Sequence, residues 1–269
     1  MEKIRINEVQ LNVAAMSVKT DGKKEIFPKQ RSKSRQLHEK CASGKNFEVY
    51  KKQEGLYQAK IYNEQINYFD EVKKGYRPCN NQLRRMKQVR ESVDFVGYEN
   101  IAGDYKVRLS EDLSCGIIYA IKKGKYVVKF LTDNACTCKA KIEEKNNVQK
   151  LLYQDFIKGV DLEYGIGAGI LKENIIVKEK GTGKEFAFIL KTQNLDMQLS
   201  QDGKVLNFLE KNGEEVIFKI PAPSMTDGSG NRSDEVWYDI TKRSSDTYLF
   251  KVVVSSEWMD APERIYPVK

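Results

Sequence analysis

The chain has 269 residues, 40% of them hydrophobic and 31% charged, with a formal net charge of +8. Fourteen tyrosines and eleven phenylalanines supply enough large apolar side chains for a sizeable core, which excludes a chain disordered throughout. No apolar run approaches the roughly 20 residues of a membrane-spanning helix, so no membrane span is expected.

Residues 1–44 read as a basic, polar lead-in with one weak strand near Val9–Val13. The apolar run Val13–Met16 is too short for a signal-peptide core, so no export signal is expected within the chain. The densest basic patches are Lys29–Arg35 and Arg84–Arg90. Neither accompanies a zinc finger, a helix-turn-helix or an RNA-recognition motif, and solvated loops account for such runs. No nucleic-acid partner is expected from them.

Beyond residue 44 apolar and polar residues alternate with a period of two, the signature of half-buried strands. Phe47–Lys52 and Leu56–Tyr62 flank a short turn and predict a hairpin. A strand follows from Gln65 and another over Asp104–Leu109, and Gly116–Leu131 predicts a second hairpin turning at Lys122–Gly124. Asn81–Asp94 fits either a helix or a long exposed loop. The polar stretch Ala135–Lys150 suggests a boundary. Past it, short alternating runs such as "EFAFILK" and "TYLFKVVVS" are separated by "GTGK", "QDG", "KNG" and "TDGSGN", all turn chemistry. The expected fold is all-β: an antiparallel β-sandwich architecture in two tandem domains, residues 45–145 and 146–269.

Motifs that could carry chemistry are each incomplete. "YGIGAGI" (Tyr164–Ile170) lacks the third glycine of a dinucleotide loop and precedes a strand pattern, so a turn is expected. "GTGKE" (Gly181–Glu185) lacks the earlier glycine and the hydroxyl of a phosphate loop, and a hairpin turn is expected. The single histidine, His38, has no rigid setting for nucleophilic catalysis. Cys41, Cys79, Cys115, Cys136 and Cys138 fit neither a disulfide framework nor a four-ligand zinc site, and free thiols are expected. In "TDGSGNRSDE" (Thr226–Glu235) oxygen-bearing side chains alternate from Asp227 as in a calcium loop. Arg232 and Tyr238 occupy the glycine and carboxylate positions of an EF-hand, leaving a polar hairpin loop or an irregular calcium site. Glu143–Glu144 and Glu214–Glu215 are neighbours on strands and so point to opposite faces. No catalytic, cofactor-binding or metal-ligating residue is assigned.

The blocks "FIKGVDLEYGIGAGILKENIIVKE" (Phe156–Glu179), "FKIPAPSMTDGSGNRSDEVWYDI" (Phe218–Ile240) and "SSEWMDAPERIYPVK" (Ser255–Lys269) resemble the region upstream of the repeats in bacterial RHS-repeat, wall-associated proteins. "LYQAKIYNEQINYFDE" (Leu56–Glu71) and "YENIAGDYKVRL" (Tyr98–Leu109) carry a fainter match, and "GYRP" (Gly75–Pro78) departs from it. The resemblance implies a β-rich module of a secreted, cell-surface or toxin-like protein, without transferable active-site residues. Its implied partners are downstream RHS-type modules or a protein or glycan ligand. The expected function is thus a non-catalytic structural or binding module, and not an enzyme. The alternatives are an adhesin for a host glycan or a protein such as immunoglobulin, and a β-sandwich carbohydrate-active enzyme. At the C-terminal end, Trp258 is expected to cap the sandwich and "RIYPV" to run as an edge strand towards a further module.

Overall fold

The structure, a computed structural model, describes residues 39–53, 56–86, 95–134, 136–145, 148–167 and 169–269. Val9–Val13, His38 and the patch Lys29–Arg35 lie outside the described residues. The chain divides into two compact units, one ending at Cys79 and the other spanning Asn80–Lys269.

In the first unit, β1 (Glu39–Gly44), β2 (Phe47–Gln53) and β3 (Leu56–Ile61) form an antiparallel meander, and β4 (Asn67–Asp70) pairs with β5 (Gly75–Pro78). The expected hairpin over Phe47–Tyr62 is therefore present. The small hairpin is fastened to the meander through backbone and amide groups. Asn67 donates from its side chain to the Gly44 carbonyl at 2.9 Å, and the Ile66 and Asn67 backbone N–H groups both donate to the Lys45 carbonyl.

The second unit opens with β6 (Asn80–Arg85), β7 (Gly97–Ala102), β8 (Lys106–Ser110), β9 (Ile117–Lys123) and β10 (Tyr126–Thr132). It continues with β11 (Ala140–Lys145), β12 (Val148–Ile157), β13 (Val160–Gly167) and β14 (Ile170–Val177), a four-stranded antiparallel meander. Next come β15 (Glu185–Gln193), the three-stranded β16 (Leu195–Leu199), β17 (Leu206–Glu210) and β18 (Val216–Ile220), and the short pair β19 (Met225–Thr226) and β20 (Arg232–Ser233). The unit closes with β21 (Val236–Ser244), β22 (Thr247–Val254) and one turn of helix, α1 (Ser256–Asp260). The helix or loop read over Asn81–Asp94 is corrected in its first part, because Asn80–Arg85 pairs with β7 as an edge strand.

The main sheet has eight strands in the order β21-β22-β15-β10-β9-β8-β7-β6. Strands on both sides of residue 145 share it, since β10 pairs with β15 from Val127↔Gln193 to Thr132↔Phe188. The reason is visible in β15, where Phe186, Phe188, Leu190 and Thr192 are buried and alternate with more exposed neighbours. Such a strand needs an apolar partner face, and the four-stranded meander supplies it. Phe156 stacks on Phe188 at 6.0 Å, and Tyr164 meets Tyr119 edge-on at 5.4 Å. The Tyr153 hydroxyl crosses from β12 to donate to the Ser110 carbonyl of β8 at 2.6 Å. Burying each such aromatic ring contributes about 1.5–3 kcal/mol. The architecture is all-β and sandwich-like, as the alternation predicts.

One glycine controls a strand spacing. A Cβ on Gly97 of β7 would sit 2.0 Å from the Leu109 carbonyl oxygen of β8, and backbone has little room to yield. Gly97→Ala is expected to destabilise the second unit by about 1–3 kcal/mol through forced separation of the two strands. Denaturant unfolding monitored by tyrosine fluorescence checks this, and an unchanged midpoint would refute the contact.

Candidate functional site

The sequence-predicted positions scatter. "YGIGAGI" is the β13–β14 hairpin, closed by the pair Gly167↔Ile170, so the turn reading holds. "GTGKE" connects β14 of one sheet to β15 of the other; it is a crossover loop rather than the expected hairpin turn, because the two strands belong to different layers. Glu143 and Glu144 are exposed on β11, opposite Lys150 and Gln149. Glu214 and Glu215 are exposed in the turn between β17 and β18. Cys41, Cys115, Cys136 and Cys138 stand outside any disulfide. Burial pushes the Cys138 thiol up to about 11, and its Sγ donates to the Gln154 carbonyl at 2.9 Å. It is protonated and unreactive at neutral pH. Among the described residues, no group of three or more His, Cys, Asp or Glu side chains gathers as a metal site.

The Asp227 loop is built as a neutralised polar knot. The Asp227 side chain has no exposed surface, and its carboxylate accepts from the backbone N–H groups of Ser229 and Asn231, the Ser229 hydroxyl and the Asn231 amide. Arg264 completes the set, donating from Nη1 at 2.8 Å while its guanidinium lies 3.4 Å over the Trp258 ring. Burial alone would raise the Asp227 carboxyl, but the bonds from Ser229, Arg264 and Asn231 outweigh it and hold the group well below the usual carboxylate range. The oxygens a calcium ion would use are taken by protein donors, and the compensating charge is an arginine. Oxygen alternation in the sequence identified the loop but could not show its cation.

Trp258 is half-buried in α1, whose first turn is capped by the Ser255 hydroxyl, and it packs against the core. The end of the chain differs from the edge strand expected of it. Val268 exchanges two backbone hydrogen bonds with Val177 of β14, and Lys269 exchanges two with Thr226 of β19. Val268 is thereby buried at 3% exposure.

A titratable group that no motif pointed to lies between the sheets. Glu173 of β14 stands directly opposite Tyr164 of β13 and electrostatically close to Tyr119 and Tyr238. Burial pushes its carboxyl up to about 7, with the Tyr164 hydroxyl opposing the rise. The Tyr164 hydroxyl is itself buried and makes no hydrogen bond of good geometry. The available signal was the alternation Leu171, Glu173, Ile175, Val177, which puts one carboxylate in an otherwise apolar row. This acid, partly exposed on β14 and facing the buried Tyr164, can hold or release a proton near neutrality.

Positive charge is distributed unevenly. Residues 1–79 carry 17 lysines and arginines against 10 aspartates and glutamates, whereas residues 80–269 carry 29 against 28. Residues 1–38, outside the described residues, hold 9 of the 17 basic groups against 4 acidic ones, and residues 39–79 hold 8 against 6.

No protein-family profile and no solved structure matches the chain. It is similar to the tRNA nuclease WapA of Bacillus subtilis strain 168, with 30% identity over 131 residues, 46% of this chain and 5% of the relative. It is also similar to the tRNA(Glu)-specific nuclease WapA of Bacillus subtilis subsp. natto, with 25% identity over 236 residues, 83% of this chain and 10% of the relative. The tRNA3(Ser)-specific nuclease WapA of Bacillus spizizenii is 30% identical over 131 residues, again 46% of this chain and 5% of the relative. The chain thus spans about a tenth or less of the curated relatives it matches.

These relatives support similarity to wall-associated, toxin-like bacterial proteins, the coarser part of the expected resemblance, and they agree with a cell-surface setting. No helix among the described residues is long and apolar enough to cross a membrane. The expected function is corrected. A non-catalytic structural or binding module, not an enzyme and without a nucleic-acid partner, conflicts with relatives named as nucleases of tRNA. The adhesin and carbohydrate-active alternatives fit those names no better. Short-motif inspection does not test for the function in those names, because hydrolytic residues need only converge in space, and RNA can be held by dispersed lysines and aromatic faces without a sequence signature.

Proposed function

We propose that this chain is a β-rich part of a tRNA-directed nuclease of the wall-associated, toxin-like kind, secreted or held at the cell surface, with tRNA as its macromolecular substrate. The observation that carries the reading is the 236-residue similarity to a tRNA(Glu)-specific nuclease, which runs through most of the chain. The excess of basic residues before residue 80 supports it, since the phosphate backbone supplies most of the affinity in such encounters. An RHS-repeat setting belongs to the same reading and rests on the blocks Phe156–Glu179, Phe218–Ile240 and Ser255–Lys269.

The test uses the purified full chain and end-labelled total tRNA at low salt, with filter retention and denaturing gels run on the same samples. Retention is expected to fall by at least about tenfold between roughly 50 and 200 mM salt, as for ligands that release several counterions, roughly one per phosphate contact. Shortened tRNA is expected on the gels. A protein that neither retains nor shortens tRNA at low salt ends the reading.

A further inference from the structure

The three-stranded meander of the first unit is inverted relative to an ordinary surface sheet. Its register places Gly44, Phe47 and Ile61 in one row, Ala42, Val49 and Ala59 in the next, and Glu39, Lys51 and Tyr57 in the third, all on one face. That face is open: Phe47 is 39%, Tyr57 56% and Ile61 52% exposed. The opposite face carries a polar network instead, in which the largely buried Glu48 side chain accepts from Lys40, Tyr50 and Tyr62. A hydrophobic face left in solvent beside a satisfied polar face marks a contact surface.

The detail at Gly44 indicates what the face is shaped for. A Cβ on Gly44 would lie 2.2 Å from Cε1 of Phe47 and 2.7 Å from its Cζ. The ring therefore lies flat across the neighbouring strand, in the space that any larger residue would fill, and turns one π-face outward. Tyr57 stands at the other end of the face beside Lys51, about 13 Å along the strands for four residues. The two rings are thus separate contacts, with the small residues Ala42 and Ala59 between them.

We propose that this face is a stacking platform for single-stranded RNA, in which Phe47 and Tyr57 each receive a base and Lys51 meets the phosphate backbone. The inference rests on the tRNA-directed reading above and deepens it by assigning the unpaired, unstacked segments of the substrate to a surface. RNA is favoured over a second copy of the chain by charge: residues 1–79 of the sequence carry 17 basic side chains against 10 acidic ones, so two copies repel one another while a polyanion is attracted. Flat aromatic rings interleaved with lysine form the usual arrangement for bases that stack without sequence readout.

Fluorescence anisotropy with a labelled decauridylate and with an RNA duplex of equal length tests the assignment. Tighter binding of the single strand is expected. The Phe47→Ala/Tyr57→Ala variant is expected to bind it at least about tenfold more weakly, while Phe47→Trp retains binding. Tyr57→Ala alone, at the more exposed of the two positions, gives a partial loss without a folding effect on circular dichroism. Wild-type affinity in the double variant overturns the proposal, as does a wild-type dimer on sedimentation that the double variant disperses. If tRNA is retained but decauridylate binding ignores both rings, this surface falls and the tRNA-directed reading stands. If the wild-type chain retains neither RNA, both fall.

Discussion

Glu173→Gln is expected to stabilise the protein above neutral pH and to leave it nearly unchanged at pH 4. The folded carboxyl titrates near 7, against the ordinary value of 4.5. Between those two values the unfolded chain has already released its proton while the folded chain still holds one. Stability therefore falls as pH rises across this window and stays lower above it. Each tenfold gain in proton affinity on folding is equivalent to about 1.36 kcal/mol, so, allowing for partial exposure, the deficit above pH 7 is about 2–3 kcal/mol. Glutamine has the shape of the protonated acid and carries no charge, so it removes the deficit. Urea unfolding of both proteins at pH 5 and pH 8 measures the effect. A variant whose stability declines with pH as steeply as the wild type would show that Glu173 is not the responsible group. The surrounding tyrosines do not confuse the experiment, since Tyr119, Tyr164 and Tyr238 are all raised by burial and carry no charge in this range.

Arg264→Ala, in contrast to Glu173→Gln, should be strongly destabilising, and at every pH above about 4. The guanidinium is the charge partner of Asp227, and both side chains are almost entirely withdrawn from solvent, at 5% and 0% exposure. Removing one member of a buried pair leaves the other unpaired, which is far more costly than loss of a surface bridge. It also removes the plate that covers Trp258 and the Arg264 Nε donor to the Trp258 carbonyl. The expected fall in melting temperature is about 10 °C. Because the Asp227 carboxyl is held low, the bridge contributes above the unfolded carboxylate value near 4 and is lost only as pH falls further. Arg264→Lys tests geometry against charge: a single ammonium cannot both stack on the indole and reach Asp227, so only part of the loss should be recovered. An Arg264→Ala protein that melts with the wild type would remove the knot from the stabilising interactions. Added calcium is expected to rescue neither variant, since Ser229 and Asn231 still engage Asp227 Oδ1 fully and Asn231 donates to Oδ2, leaving a single lone pair for an ion that needs six or more oxygen ligands.

Much of the strand content is written locally. Period-two alternation located β2, β3, β9, β10 and most strands after residue 170, and in β10 and β15 the apolar row is the one that leaves water. It failed where that row is short or polar. Asn80–Arg85 is an edge strand with a single large apolar residue, Leu83, and reads equally well as helix or loop. Ala140–Lys145 is almost wholly exposed and reads as a boundary, although it forms a complete hairpin with the following strand. The candidate surface was less visible than the fold. Aromatic residues in a strand signal burial on average, and nothing in "FEVYKKQ" or "LYQAKIY" says that the ring-bearing face is the one left open.

By itself the sequence determined the all-β class, the turns and the incompleteness of each phosphate, zinc and EF-hand motif, because these depend on residues within one turn or one strand of each other. Only the tertiary structure decided that β10 pairs with β15 across more than fifty residues, that Asp227 faces Arg264, and that Glu173 shares a row with the buried Tyr164. Those outcomes depend on which surfaces compete best for burial once the whole chain has collapsed, a global balance that no local pattern encodes.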